Sequence, residues 1–480
     1  MDLHERVQRL LFSHFPHVPT GGQREACRQL VSFLYDPDPR SAFVLKGYAG
    51  TGKTSLVSAL IKTLPQLGVK TVLLAPTGRA AKVLSNYSGK KTLTIHKKIY
   101  LTESDNTGLM RCVRVRNKHA YTLFIVDEAS MIGENAGVMQ RSLLDDLLDY
   151  VIEGNHCRIL LIGDSAQLPP VGSPVSPALD CEYLSSISGL KVFSCELTEV
   201  VRQENVSGIL KNATIVRRLI DTREQNPEHP VFDLSKNDVC RVDGADLEDL
   251  INREYSETGL ENVVLVCKTN KRANIFNQEI RRRILYRESE LNTGDFLMVV
   301  KNNYFWLEED SPMGFIANGD IVEIQRLRKF EELYGFHFAE ATLRFVDYPD
   351  NPEVECKILL DTLTSDSPSL TEEESRRLFE EIMLDYADLP NRKDRLKSVK
   401  NNPYFNALQV KFSYCLTCHK TQGGQWESVF VDQGYLQDDV VDREYLRWLY
   451  TALTRASRKI YLLNFNDDFF SGKSPDCPEL

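Results

Sequence analysis

Phe43-Val44-Leu45-Lys46-Gly47-Tyr48-Ala49-Gly50-Thr51-Gly52-Lys53-Thr54-Ser55-Leu56-Val57 reads as an apolar strand, a glycine-rich loop and the first turn of a helix. The glycines let backbone N–H groups converge on one anion. Lys53 adds a compact cation, and the Thr54 hydroxyl can hold Mg²⁺ where the helix dipole favours negative charge. Gly47, Gly50, Thr51, Gly52, Lys53, Thr54 and Ser55 are therefore the candidate phosphate-binding positions. The pattern says nucleotide, and what the nucleotide is for has to come from other segments.

Working outward, residues 43–46, 71–75, 123–127 and 159–163 are short, β-rich apolar runs, each ending in a polar or glycine-containing loop and separated by helix-like stretches. That rhythm belongs to a parallel sheet covered by helices, so the fold class is α/β. Ligands of such sheets sit at the carboxyl ends of the strands, which predicts that the glycine loop, Asp127-Glu128 and Gly163-Asp164 converge on one crevice. A second βα series begins beyond about residue 200, with strands at 263–266, 428–431 and 459–463 and no glycine-lysine loop of its own. It is expected to cover the nucleotide held by the first lobe.

The 480 residues suffice for about three domains, and 42% hydrophobic content suits packed cores. No apolar run reaches bilayer length, and Met1-Asp2-Leu3-His4-Glu5-Arg6 carries acids where a signal peptide is basic and then apolar. The expectation is a protein with no membrane partner, cytoplasmic and nucleoid-associated. A formal charge of −10 argues against non-specific wrapping of nucleic acid but leaves room for a local basic groove. Eleven cysteines are scattered through sequence that otherwise reads as strands and helices, as small buried hydrophobes are. Cys415-Leu416-Thr417-Cys418-His419 spells the C-x-x-C-H string of covalent haem attachment. Haem attachment needs export, and no second cysteine pair completes a zinc tetrad, so neither haem nor zinc is expected.

Two insertions interrupt the sheets. Residues 99–116 read as a β-hairpin whose second arm carries Arg111, Arg114 and Arg116, with Lys118 close behind. From about 326 to 407 polar and apolar residues alternate, as in small antiparallel barrels. This stretch also holds a helix with a Thr371/Glu374 capping box and an apolar face of Leu378, Phe379, Ile382, Met383 and Tyr386.

Asp127-Glu128 at a strand end suits hydrolysis: Asp127 can hold Mg²⁺ through water, and Glu128 can orient and deprotonate the attacking water. On the next strand end, Gly163-Asp164-Ser165-Ala166-Gln167-Leu168-Pro169-Pro170 presents Gln167 as a neutral amide able to sense the γ-phosphate.

With these residues in place the chain resembles the superfamily 1 helicases, in the branch of the RecD-like enzymes and the phage Dda helicase. Further matching motifs are Thr20-Gly21-Gly22-Gln23, Ala75-Pro76-Thr77-Gly78-Arg79-Ala80-Ala81-Lys82, Thr94-Ile95-His96-Lys97 and Leu197-Thr198-Glu199-Val200-Val201-Arg202-Gln203. In the second half they are Tyr414 through Gly424, and Tyr450-Thr451-Ala452-Leu453-Thr454-Arg455-Ala456. The resemblance implies two RecA-like P-loop lobes, an inserted hairpin pin and an inserted SH3-like small β domain. It divides the chain into an ATP-binding first lobe (1–97 and 122–198), a pin (98–121), a second lobe (199–325 and 408–480) and the small domain with its helical extension (326–407).

The resemblance further implies that Gln23 reads adenine, that Gly423 belongs to the nucleotide set, and that Arg202 and Arg455 reach the γ-phosphate from the second lobe. It lays single-stranded DNA across Pro76, Thr77, Arg79, Thr94, His96 and Lys97 on one lobe and Thr417, His419 and Lys420 on the other. The two cysteines of the C-x-x-C-H string become packing residues. The same likeness implies a monomeric motor using ATP and Mg²⁺, moving 5′ to 3′ on single strands, acting at single-strand/duplex junctions and splitting duplex on the pin, with DNA repair or recombination as its setting. Two alternatives stay open: an RNA helicase of the same superfamily, and an ATP-gated single-strand clamp that does not unwind.

Overall fold

The computed structural model describes residues 3–104, 110–133, 141–200, 207–222, 229–308, 311, 313, 315–348, 351–436 and 440–470. The first lobe contains β1 (Ser41–Gly47), β2 (Lys70–Ala75), β3 (Thr92–Thr94), the hairpin strands β4 (Tyr100–Ser104) and β5 (Met110–Arg114), β6 (Thr122–Val126), β7 (Arg158–Gly163) and β8 (Lys191–Leu197). Six of these form one sheet in the order β3-β2-β6-β7-β1-β8, and every pairing is parallel. Its central strands are buried on both faces, which is why 123–126 and 42–45 read as unbroken apolar runs and not as alternation.

Then follow β9 (Val239–Val242), β10 (Val263–Cys267), β11 (Phe296–Val299), β12 (Ile321–Leu333), β13 (Phe336–Phe345), β14 (Glu353–Leu359), β15 (Leu408–Phe412), β16 (Cys415–Thr417), β17 (Trp426–Asp432) and β18 (Ala456–Leu463). The second lobe is a parallel sheet in the order β16-β10-β17-β18-β9, while β11 to β15 close into a barrel. The barrel draws β11 and the start of β12 from before residue 326, and β15 from after 407. It therefore reaches past both ends of the 326–407 span, because closure requires its first and last strands to pair, as Leu297 does with Phe412. β15 is buried at every position and so reads like a strand of the lobe.

Helix Glu372–Leu384 starts on the capping box expected of Thr371 and Glu374. Its buried Leu378 and Ile382 pack on Phe336, Phe338 and Leu359 of the barrel. The barrel core in turn runs without a break into the second sheet, joining Leu343, Phe345 and Phe412 to Leu265, Phe430 and Tyr461. Among the described residues no helix is long and apolar enough to cross a membrane. The hairpin pairs Tyr100 with Arg114 and Glu103 with Arg111. Its tip, 105–109, lies outside the described residues.

Phe430 and Tyr461 are fully buried and stack at 4.3 Å between β17 and β18. Phe430→Ala removes that contact from the core shared by lobe and barrel, and about 3–5 kcal/mol of unfolding free energy should be lost in urea titrations.

Candidate nucleotide and nucleic-acid site

The carboxyl edge of the first sheet orders the motifs by strand position. Across the edge come Thr94 at the end of β3, Pro76 after β2, Asp127 after β6, Asp164 after β7 and the glycine loop after β1. The phosphate-type residues therefore share one half of the edge and the nucleic-acid-type residues the other. The second lobe answers with the amino ends of its strands: Tyr414 before β16, Trp426 at the start of β17 and Arg455 before β18 line the same cleft of about 1830 Å³ as Lys53, Thr54, Ser55, Asp127, Glu128 and Gln167.

Gly50 and Gly52 take left-handed backbone (φ 77° and 81°), the conformation that turns the loop's N–H groups inward. Lys53 Nζ donates to the carbonyls of Gly47 at 2.5 Å and Tyr48 at 2.9 Å, and lies 3.7 Å from Asp164. Thr51 is buried, its hydroxyl donating to Tyr48 O at 2.8 Å. Asp127 accepts the Glu128 N–H at 2.9 Å and the Tyr87 hydroxyl at 2.5 Å. Glu128 has φ 53°, a left-handed conformation costly for a side chain of this size, and the residue lines the cleft.

Burial raises the Glu128 carboxyl. Arg455 and Lys53 oppose the shift, while Asp127 and Asp164 add to it. The guanidinium of Arg455 thus acts electrostatically on the candidate base. It is held by Thr451 O at 3.0 Å, Gly424 O at 3.2 Å and Thr454 Oγ1 at 3.0 Å. Gln167 has a buried Oε1 with no hydrogen-bond partner, on a side chain lining the cleft. An orphaned acceptor beside the glycine loop fits a site completed by something that enters it.

Several expected residues sit differently. Gln23 is fully buried: Nε2 donates to Thr51 O at 3.1 Å, and Oε1 accepts the Thr20 N–H at 3.0 Å as half of a capping box. Its amide braces the glycine loop from behind and does not line the cleft, while His17 and Thr20 of the same segment do. Gly423 (φ 73°) presses against the first lobe, where a Cβ would lie 2.7 Å from that of Ala80. It is a close-approach glycine between lobes, outside the nucleotide lining. Arg202 lies outside the described residues. Arg79 stacks on Trp426 at 3.8 Å and donates to Gln425 O at 3.3 Å, so it bridges the lobes at the cleft. Tyr87 falls in none of the sequence motifs, and Tyr450, although it opens the motif that contains Arg455, has no role assigned to it there. A tyrosine in a helix carries no signal of the carboxylate it will meet after folding.

On the nucleic-acid half, Thr77 and Thr94 cap helices Gly78–Ser88 and Ile95–Ile99, accepting from Ala80 N and Lys97 N at 3.2 Å each. His96 lies edge-on to Phe315 of the barrel, 6.3 Å between ring centres. Lys97 donates to the Tyr348 hydroxyl at 2.9 Å, and Tyr348 donates to Asp320 at 2.8 Å. Pro76 borders this face, half-buried. In the second lobe Thr417 is buried, while His419 and Lys420 are half-buried just past β16, their charged forms disfavoured by burial. Cys415 and Cys418 are buried, as packing residues are, and the Cys415 thiol lies 3.6 Å from that of Cys267. Arg114 of the hairpin pairs with Glu153 of the first lobe. Arg116 and Lys118 are exposed.

Site and fold together define a two-lobed P-loop nucleotide-hydrolase architecture with an inter-lobe arginine. Residues 19–221 match the AAA domain family model, and residues 412–463 match the UvrD-like helicase C-terminal domain. An uncharacterised protein (R530) of Acanthamoeba polyphaga mimivirus is 23% identical over 91% of this chain and 98% of its own length. The ATP-dependent DNA helicase dda of Enterobacteria phage T4 is 29% identical over 64% of this chain and 67% of its own. The ATP-dependent RecD2 DNA helicase of Deinococcus radiodurans is 30% identical over 41% of this chain and 24% of its own. The chain is thus similar, in both its nucleotide-binding and its C-terminal halves, to ATP-dependent DNA helicases of the dda and RecD2 type.

Asp320 is fully buried beneath this face, its Oδ2 accepting the Ala317 N–H at 2.7 Å, and burial pushes its carboxyl up to about 7, with Lys97 opposing. Between its ordinary value of 3.8 and about 7 the native protein holds a proton that the unfolded chain has lost. This group's contribution to stability therefore falls as pH rises through that window and is flat above it. Asp320→Asn removes the titration. Urea unfolding at pH 5, 6, 7 and 8 should show the variant gaining on the parent by up to about 1.4 kcal/mol per pH unit below pH 7, with the difference constant above.

Proposed function

We propose that this chain is an ATP-hydrolysing DNA helicase that moves 5′ to 3′ along single-stranded DNA as a monomeric motor and parts duplex on the hairpin of β4 and β5. The observation that carries the catalytic half is the shared lining of one cleft by Lys53, Glu128, Gln167 and Arg455, with Glu128 under the influence of both cations.

Lys53 leaves its two loop carbonyls to meet the phosphates, whose negative charge is the stronger partner. Thr54 and Asp127 would hold Mg²⁺, which when bound would neutralise charge on the phosphate oxygens. Glu128 takes the proton of the attacking water, and a carboxylate made more basic by burial is better suited to that transfer near neutral pH. Gln167 offers its unpartnered amide oxygen to the same water. Arg455 supplies planar positive charge from the opposite lobe, and Arg202 is assigned the second such position by resemblance.

When hydrolysis removes the charge between Lys53 and Arg455, the seam loses its bridge and the lobes part. Thr77, His96 and Lys97 move with one lobe, and Thr417, His419 and Lys420 with the other. Alternating grip then converts each cycle into a step. The contacts would fall on backbone and stacked bases, so little sequence preference and a steep loss of affinity with salt are expected. A cytoplasmic, nucleoid-associated setting in repair or recombination suits such a motor.

Arg455→Ala should lower kcat for single-strand-stimulated ATP hydrolysis about a thousandfold while nucleotide affinity stays within about fivefold of the parent. Equal loss of both would remove Arg455 from the transition state. Separately, duplexes with only a 5′ or only a 3′ overhang should be unwound in the first case and left intact in the second. Unwinding from the 3′ overhang alone would reverse the assigned polarity, and replacing the DNA tail with RNA tests sugar preference in the same assay.

A further inference from the structure

Helix Arg443–Leu453 of the second lobe carries Tyr450 across the seam, where its side chain is fully enclosed. The hydroxyl accepts the Ala49 N–H of the glycine loop at 2.7 Å and donates to Asp164 Oδ2 at 2.8 Å. Asp164, itself buried, accepts the Ala166 N–H on its other oxygen at 3.0 Å and lies 3.7 Å from Lys53 Nζ through the same Oδ2. Thr451, the next residue, accepts the Leu168 N–H at 2.8 Å, so two consecutive side chains hold both ends of the segment that bears Gln167.

Packing alone does not call for a phenol here. The ring lies in an apolar seam with Tyr48, Ala166, Leu168, Leu446 and Leu449, and phenylalanine would fill the same volume. What the oxygen adds is a donor to Asp164 and an acceptor for the loop, both in an enclosed place where an unmet polar group is destabilising. Burial pushes the phenol well above its ordinary range, so it keeps its proton and remains a donor.

Deprived of that donor, the Asp164 carboxylate has one strong partner left on Oδ2, the Lys53 ammonium. Lys53 is also the cation that the phosphates need, and a buried carboxylate competes with them directly. We propose that the Tyr450 hydroxyl is a positioning group for nucleotide binding: by engaging Asp164 Oδ2 it leaves Lys53 free for phosphate, so the second lobe sets ATP affinity before Arg455 acts in hydrolysis. This rests on the ATP-driven reading above and extends it by a residue that lies outside the cleft lining.

The test uses the full chain with Tyr450→Phe, which keeps the ring, and the double variant Tyr450→Phe/Asp164→Asn, which also removes the competing charge. Affinity is read with a fluorescent ADP analogue, and KM and kcat with MgATP and single-stranded DNA. Tyr450→Phe should raise the ADP-analogue Kd and the KM for ATP about tenfold while kcat at saturation changes by less than threefold, and the double variant should bring Kd back to within threefold of the parent. A residue that merely filled space would not be rescued by neutralising Asp164. Kd within twofold of the parent in Tyr450→Phe, or no recovery in the double variant, overturns the proposal. A parent that binds nucleotide but does not hydrolyse it would overturn the motor reading instead, and the Kd comparison would still decide the role of Tyr450.

Discussion

Charges of both signs are taken out of bulk water together at the seam between the lobes. Lys53, Glu128, Asp164 and Arg455 face a common cleft or lie buried beside it. Moving one such ion from water into a protein interior costs several kcal/mol after relaxation, and opposite charges about 4 Å apart recover about 4 kcal/mol at an effective dielectric constant near 20. The terms nearly cancel, so the arrangement is poised. Apolar contacts that cross the seam, such as Tyr48 and Leu168 against Leu449, hold the lobes together. The charges are thereby left free to respond to whatever enters the cleft.

The geometry of parallel sheets explains how one seam serves two kinds of ligand. All strands of the first sheet end on one edge, and the order β3-β2-β6-β7-β1-β8 sorts their loops along it. The sequence distance between Lys97 and Asp127 is filled by the hairpin, yet β2 pairs directly with β6. Strain at Glu128 and the short contact from Tyr87 to Asp127 belong to the point where the two halves of the edge meet.

Much of this is legible in the chain because it is local. The glycine loop, the all-apolar central strands and the Thr371 cap are each specified within a dozen residues, where periodicity and turn chemistry act directly. Features that depend on partners far apart in the chain are not legible in this way. Tyr450 meets Ala49 and Asp164, and Gly423 meets Ala80, only after two lobes dock. Gln23 is legible as a functional residue but not as a brace, since a capping box and a base-reading amide present the same side chain in sequence. The barrel's outer strands escape for a related reason: β11 and β15 are short and buried, and their pairings with each other and with β12 and β14 are what assign them to the barrel.

The unbroken packing from barrel to second sheet has a mechanical implication. The barrel rides with one lobe as a stiff outrigger, whereas the hairpin is rooted in the other through Arg114 and Glu153. Any rotation of one lobe against the other would be magnified by leverage into relative travel between these two appendages, and it would load the ties from the first lobe to the barrel side, Lys97 to Tyr348 and Lys82 to Val346.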